Sequence, residues 1–233
     1  MDTAARTTEA APDLSFFRAV HRKTRKDLAR YVRAVDTAVE ADRMTRLQPL
    51  ARWARGFAHE LVHHHRREDD ILFPALRERV PAIGDVLDEL AGEKLAIDDL
   101  MARWPGVADR LADRSVPFGP AKAEAQALAA AIDCWVLRRL DTEDAEVLPV
   151  LAANFSAAEY DELVTRAERH RPGRSFVVPW SVDAVEPGDR AAVVAKAPPP
   201  VRLVWKLNKG RYERLVTAAF GNVGGEPRLA VPA

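Results

Sequence analysis

Six ionisable residues interrupt otherwise apolar helical seams in this chain, and the spacing of several of them is that of metal ligands. His21 falls in the series Leu14, Phe17, His21, Thr24, Leu28, and a second series reads Trp53, Phe57, Leu61, His64, Glu68, Ile71. Residues four apart on a helix share one face, so His64 and Glu68 form an inward-facing histidine and carboxylate pair. Two further seams carry cations: Ile83, Leu87, Leu90, Lys94, Ile97, Met101, Trp104, and then Leu128, Ile132, Trp135, Arg139, Glu143, Val147. A single polar residue in a seam is most simply a satisfied core hydrogen bond. Four interrupted seams carry more weight, because an unpaired ionisable group in an apolar core costs several kcal/mol. These side chains are therefore expected to meet one another, or a bound ion, near a common centre.

Four long segments must position them. Each repeats buried-type residues at alternating intervals of three and four, the pattern of helices packed in a bundle. The spacing predicts helices over about Leu14 to Glu40, Leu47 to Arg79, Pro81 to Trp104 and Pro120 to Ala153, with breaks at Pro81, at Pro105-Gly106 and between Pro117 and Pro120. Ser156-Ala157-Ala158-Glu159 has the form of a capping box and predicts a fifth helix that ends before Pro172-Gly173. Strand signals are nearly absent. The expected fold is all-α: an antiparallel up-down four-helix bundle with a fifth helix and a Pro-rich, partly helical C-terminal appendage. In domain terms, residues 1–12 are expected to be disordered, 13–170 to form the bundle, and 171–233 to form an appendage packed on it. Within that appendage, Val201, Val204, Leu207, Tyr212, Leu215 and Phe220 predict an amphipathic helix interrupted at Gly210.

Composition narrows the function. Lys+Arg and Asp+Glu both number 35 among 233 residues, so no net charge pulls the chain towards nucleic acid or an anionic membrane. A small molecule or a protein is the expected partner. No Gly-rich phosphate loop, nucleophile elbow or basic stripe with interleaved aromatics occurs, which argues against nucleotide enzymes, serine hydrolases and nucleic-acid binders. Met1 to Pro12 holds no apolar run of signal-peptide or membrane-span length, and a cytoplasmic location is expected. The one cysteine, Cys134, reads as a core residue. His59 and His63 are spaced to hold a surface metal, but His63 and His65 flank the seam and read as solvated or as helix contacts. His170 reads as a favourable charge at a helix C-terminus.

The stretch from His21 to Leu28 (His-Arg-Lys-Thr-Arg-Lys-Asp-Leu) and that from His64 to Pro74 (His-His-Arg-Arg-Glu-Asp-Asp-Ile-Leu-Phe-Pro) resemble the first two helices of the hemerythrin-like, HHE cation-binding domains. In that family each half of a bundle supplies a histidine and an H-x-x-x-E pair, and together they hold two non-haem irons. The resemblance spans roughly Leu14 to Glu168. It implies His21, His64 and Glu68 as metal ligands, and it matches Leu140 to Pro149 with the second ligand helix, so that Glu143 corresponds to Glu68. Arg139 and Lys94 then stand where histidines belong.

Those two cations alter the charge balance. With neutral histidines, Lys94 and Arg139 offset Glu68 and Glu143 and leave a pocket that is neutral without metal. Like charges a few ångströms apart repel by about 4 kcal/mol per pair at an effective dielectric near 20, so a di-iron centre is disfavoured. The leading expectation is that Lys94 and Arg139 pair with Glu143 and Glu68 in place of metal, leaving a binding or sensing module. The alternative is one non-haem iron on His21, His64 and Glu68, with Glu143 as a further ligand, and chemistry on oxygen, peroxide or nitric oxide. The cofactor is accordingly none or one iron. No catalytic residue is assigned, and the choice between enzyme and binding protein stays open.

Overall fold

A computed structural model of the chain describes residues 10–168 and 174–221. Among these residues every regular element is helical. The first helix, α1, spans Ser15–Asp36, and the second, α2, spans Gln48–Arg67 and continues through a single π turn, Glu68–Leu72, into α3, Phe73–Arg79. A short 3₁₀ turn at Pro81–Ile83 leads into α4, Gly84–Ala112. The next, α5, spans Phe118–Thr142 and passes through a π turn, Glu143–Val147, into α6, Leu148–Asn154. Four shorter or outer helices complete the chain: α7 (Ala157–Glu168), α8 (Arg174–Asp183), α9 (Arg190–Lys196) and α10 (Pro199–Phe220).

The three π turns, the third at Arg43–Leu47 ahead of α2, share one cause. Each is followed by proline at the second position of the next helix, namely Pro49, Pro74 and Pro149. Proline has no N–H to offer the carbonyl four residues back, and its ring presses against that carbonyl. The chain answers by widening one turn. The N–H of Phe73 reaches the carbonyl of Glu68, and that of Leu148 reaches Glu143, each five residues back. The inserted residue rotates the next stretch of helix, so Leu72 and Leu76 enter the core while Ile71 stays half-buried.

Helices α1 and α5, α5 and α4, and α4 and α2 pack as close pairs. Along the remaining side, α8 and α10 pack against α2, and Trp180 reaches inward with no exposure. Its indole N–H donates to Asp27 of α1 at 2.9 Å, and its ring lies 5.5 Å from that of Phe57 on α2. Asp27 is itself fully buried, held by Lys23 at 2.8 Å and Arg30 at 3.2 Å, and Lys23 also pairs with Asp183 of α8 at 3.0 Å. Gly56 makes this approach possible: a Cβ there would lie 2.5 Å from the Phe176 ring. The C-terminal helices thus contribute Trp180, Tyr212, Val216 and Ala219 to the same apolar cluster as Trp53 and Phe57.

Several expectations need correction. Pro105 does not end its helix, because Val107, Ala108 and Leu111 beyond it are buried and their packing outweighs the roughly 3 kcal/mol cost of an internal proline. Gly210 does not interrupt α10 for the same reason, with Tyr212, Val216 and Ala219 buried beyond it. Cys134 is exposed, not buried, since Ile132 and Val136 take the inward positions of that turn. The first helix ends at Asp36, four residues short of the expected Glu40. The predicted capping box is present: Ser156 N–H donates to Glu159 at 2.9 Å and Glu159 N–H to Ser156 Oγ at 3.3 Å. The expected disorder of residues 1–12 lies largely outside the described residues, but Ala10 accepts a hydrogen bond from Ala157 at 2.8 Å. His170 and the end of the fifth helix also lie outside them.

If Trp180 is core, Trp180→Ala should lower the unfolding free energy by about 3–5 kcal/mol, read by urea denaturation. A surface appendage would lose under about 0.5 kcal/mol on the same change.

Candidate metal centre

The apolar core is split in two by a polar layer. One cluster gathers Trp53, Trp104, Ile132 and their neighbours; the other gathers Leu76, Leu90, Leu148 and theirs. Between them lie His21, His64, Glu68, Arg139 and Glu143, each at most 5% exposed, so their charges must be met inside the protein.

His21, His64, Glu68 and Glu143 each offer one ligand atom, and all four atoms lie within 4.8 Å of one another. His21 Nε2 stands 3.4 Å from Glu143 Oε2, and His64 Nε2 stands 3.1 Å from Glu68 Oε1. None of these four atoms is in a well-aligned hydrogen bond, although all are buried. Leaving one such group unsatisfied costs about 1–3 kcal/mol, and more when it is charged. Four converging on one point is the arrangement that a cation would satisfy.

The other side of each glutamate faces Arg139. Its Nε lies 2.7 Å from Glu143 Oε1, an ion pair whose N–H does not point at the oxygen, and its Nη2 lies 3.3 Å from Glu68 Oε2 and 3.0 Å from Asp69 Oδ1. Its Nη1 donates to the Leu90 carbonyl at 3.1 Å. Burial works against the charge, but Glu143, Glu68 and Asp69 more than offset it and raise the guanidinium's pKa further. Arg139 therefore stays charged in the interior.

Lys94 does not pair with Glu68 or Glu143 as expected. It lies 3.2 Å from Asp69 and 3.4 Å from Asp98, part-exposed at 28%. The reason is that Asp69, one residue beyond Glu68 on the π turn, already faces Arg139 with one oxygen and turns the other to α4. Asp69 was missed in the sequence because its position lies off the α-helical seam. Counting it and Asp98 changes the charge balance: four carboxylates, Glu68, Asp69, Asp98 and Glu143, face two cations, Arg139 and Lys94. Two negative charges remain.

The two histidines are held differently. His21 Nδ1 lies 2.8 Å from Asp144, which can only accept, so the proton sits on Nδ1 and the Nε2 lone pair points inward. Asp144 is anchored in turn by Arg25 at 2.9 Å. His64 Nδ1 instead meets the Arg67 guanidinium at 3.3 Å, which can only donate. That contact favours the proton on Nε2, and His64 must change tautomer to ligate. Burial, then Arg67, depress its pKa well below the usual imidazole value, so it is neutral. His65 is also buried and depressed, by burial and then Arg139. It is a helix contact, as one of the two readings had it. The His59 and His63 rings lie 4.5 Å apart, with His59 exposed.

An all-α bundle whose helices turn histidines and glutamates towards its axis is the architecture of proteins that bind metal in a bundle core. Residues 13–151 match the model of the hemerythrin HHE cation binding domain, and the chain belongs to that family. A search of curated proteins and a search of solved structures found no match. Among the described residues no helix is long and apolar enough to cross a membrane.

The two histidine settings predict opposite effects on metal affinity. Asp144→Asn should weaken binding by about tenfold, the usual scale for such outer partners. Arg67→Met should tighten it, because the contact that favours the wrong tautomer is gone. Competition with a chromophoric chelator reads both signs.

Proposed function

We propose that this protein binds one divalent non-haem metal ion, iron by family, through His21, His64, Glu68 and Glu143, and that Arg139 takes the charge role of a second ion. The observation that carries this reading is the convergence on one point of four buried ligand atoms, none of them in a well-aligned hydrogen bond. Charge supports it. A divalent ion cancels the two uncompensated negative charges left after Arg139 and Lys94 are counted, whereas a second would add two positive charges beside a buried guanidinium. Lys94 contributes from a distance, through Asp69. In this reading the dinuclear site of the family is lost, and the pocket becomes a mononuclear one.

A ferrous ion in such a site would supply redox chemistry towards oxygen, peroxide or nitric oxide. This chain's residues do the rest. Asp144 orients His21, Glu68 and Glu143 each turn one oxygen to Arg139 and the other to the ligand cluster, and the guanidinium keeps positive charge beside any anion that enters. The apolar clusters on either side keep bulk water away.

Proton linkage gives a further expectation. Burial and the adjacent Glu68 push the Glu143 carboxyl well above the usual carboxylate range, and Arg139 only partly opposes them. Burial raises Glu68 as well. Metal-free folded protein therefore holds a proton there that the unfolded chain has released. Its stability should fall as pH rises from the ordinary carboxylate range through the raised pKa of Glu143, since the native state binds more protons across that window. Metal affinity should rise over the same window, because the ion must displace that proton. Thermal melts and metal titrations across pH check the two opposite slopes.

The decisive measurement is stoichiometry. Anaerobic Fe(II) titration with elemental analysis should give one metal per chain, and both Glu143→Ala and His21→Ala should abolish it. Two metals per chain, or none at saturating iron, would reject the proposal. If Arg139 stands in for an ion, the Lys94→His and Arg139→His double variant should bind a second.

A further inference from the structure

Lys+Arg and Asp+Glu balance over the whole chain, but α10 carries its charge unevenly. Between Pro199 and Phe220 stand Arg202, Lys206, Lys209, Arg211 and Arg214 against a single acid, Glu213. One face of the helix buries Tyr212, Val216 and Ala219, and α10 packs on α2 and α8. On the opposite face Leu203 and Leu207, one turn apart, are 57% and 70% exposed. No other helix among the described residues exposes two large apolar side chains. At 3.6 residues per turn, Arg202, Lys206 and Lys209 fall along one edge of this leucine ridge and Arg211 along the other. Arg214 continues the ridge, its Nη1 3.6 Å from where a Cβ on Gly210 would lie. Several exposed arginines elsewhere are tied to an acid of another helix, as Arg55 is to Asp109 and Arg79 to Glu159. Arg202, Lys206, Arg211 and Arg214 have no such acid among the described residues, and Lys209 lies over the Trp205 ring at 4.6 Å.

We propose that this face of α10 docks on the surface of an anionic phospholipid bilayer, with Leu203 and Leu207 among the upper acyl chains and the flanking cations on the headgroup phosphates. An apolar ridge bordered by Lys and Arg is the pattern of a helix that lies in the interface plane. Long basic side chains keep their charges at headgroup level while their stems run along the apolar boundary. Each Lys or Arg close to an anionic leaflet strengthens binding about fivefold, and these cations have no internal acid to give up first. Nucleic acid would use the cations but leave both leucines in water. An acidic protein would need an apolar groove walled by acids on both sides, whereas a bilayer offers both layers to any convex face. The zero net charge of the chain does not oppose this contact, because charges beyond a Debye length of about 10 Å are largely screened. The contact is peripheral, since no helix among the described residues is long and apolar enough to cross a membrane. The helix lies outside the residues matched to the family, and the proposal is independent of the metal reading.

Co-sedimentation of the full chain with vesicles provides the test, comparing phosphatidylcholine alone with a mixture containing phosphatidylglycerol. The anionic vesicles should bind at least about tenfold more tightly than the neutral ones, and the difference should shrink as salt is raised. Replacing both leucines, Leu203→Ser with Leu207→Ser, should weaken binding to the anionic vesicles by about tenfold or more, because two apolar side chains no longer leave water. Arg202→Gln with Lys206→Gln should weaken it by about tenfold or more as well. All four side chains are exposed, so both variants should keep the fold, which circular dichroism checks. Equal binding to the two kinds of vesicle, or none to either, would overturn the proposal. So would anionic-vesicle binding that is unchanged in the folded leucine variant, or tighter binding to duplex DNA than to the anionic vesicles. Should the leucine variant fail to fold, the comparison of the two kinds of vesicle still decides.

Discussion

A guanidinium with no exposure to solvent must be surrounded by acceptors, and Arg139 meets that requirement with Glu143, Glu68, Asp69 and the Leu90 carbonyl. Removing one partner of such a buried group typically costs about 3–5 kcal/mol, because the charges left behind have no other partner. The remainder of the centre is arranged around this cation. Each glutamate spends one oxygen on Arg139 and turns its other oxygen to the histidines. Asp69 links the cation to Lys94 on α4, so that three helices are tied through one charge. The apolar core divides at this level because buried ionised groups occupy it.

The two ligand glutamates sit at the first position of their π turns, and each turn is forced by a proline six residues on. Backbone and site are therefore coupled in both halves of the bundle. Asp69, the second residue of the first of these turns, lies off the α-helical seam and contacts both Arg139 and Lys94. A π turn stores some unfavourable hydrogen-bond geometry, and its recurrence at the same place in two helices marks it as part of how the site is built.

Opposite the pair α4 and α5, the bundle is completed by its own C-terminal helices. Trp180 fills the space between α1 and α2 and closes a second buried polar network on Asp27, Lys23 and Asp183. Towards the other end of the same side, α7 packs on the Glu68–Leu72 π turn, near α1 and His64. Segments outside the four long helices thus cover this side of the molecule together with α1 and α2, while the long helices hold the ligands.

Much of this was legible in the residue pattern, for a local reason. Helical periodicity is a property of consecutive residues, so His21, His64, Glu68, Arg139 and Glu143 could be assigned to inward faces from spacing alone, and the capping box at Ser156 could be read directly. Continuity of α4 through Pro105, and of α10 through Gly210, was decided by burial of residues beyond each break, a long-range gain that outweighs a local cost. The partners of Lys94, the exposure of Cys134 and the part played by Asp69 depended on which turn was widened and which helix lay opposite. Contacts between residues seventy positions apart, such as Arg139 with Asp69, exist only once the bundle has closed, and it is those contacts that set the charge of the centre.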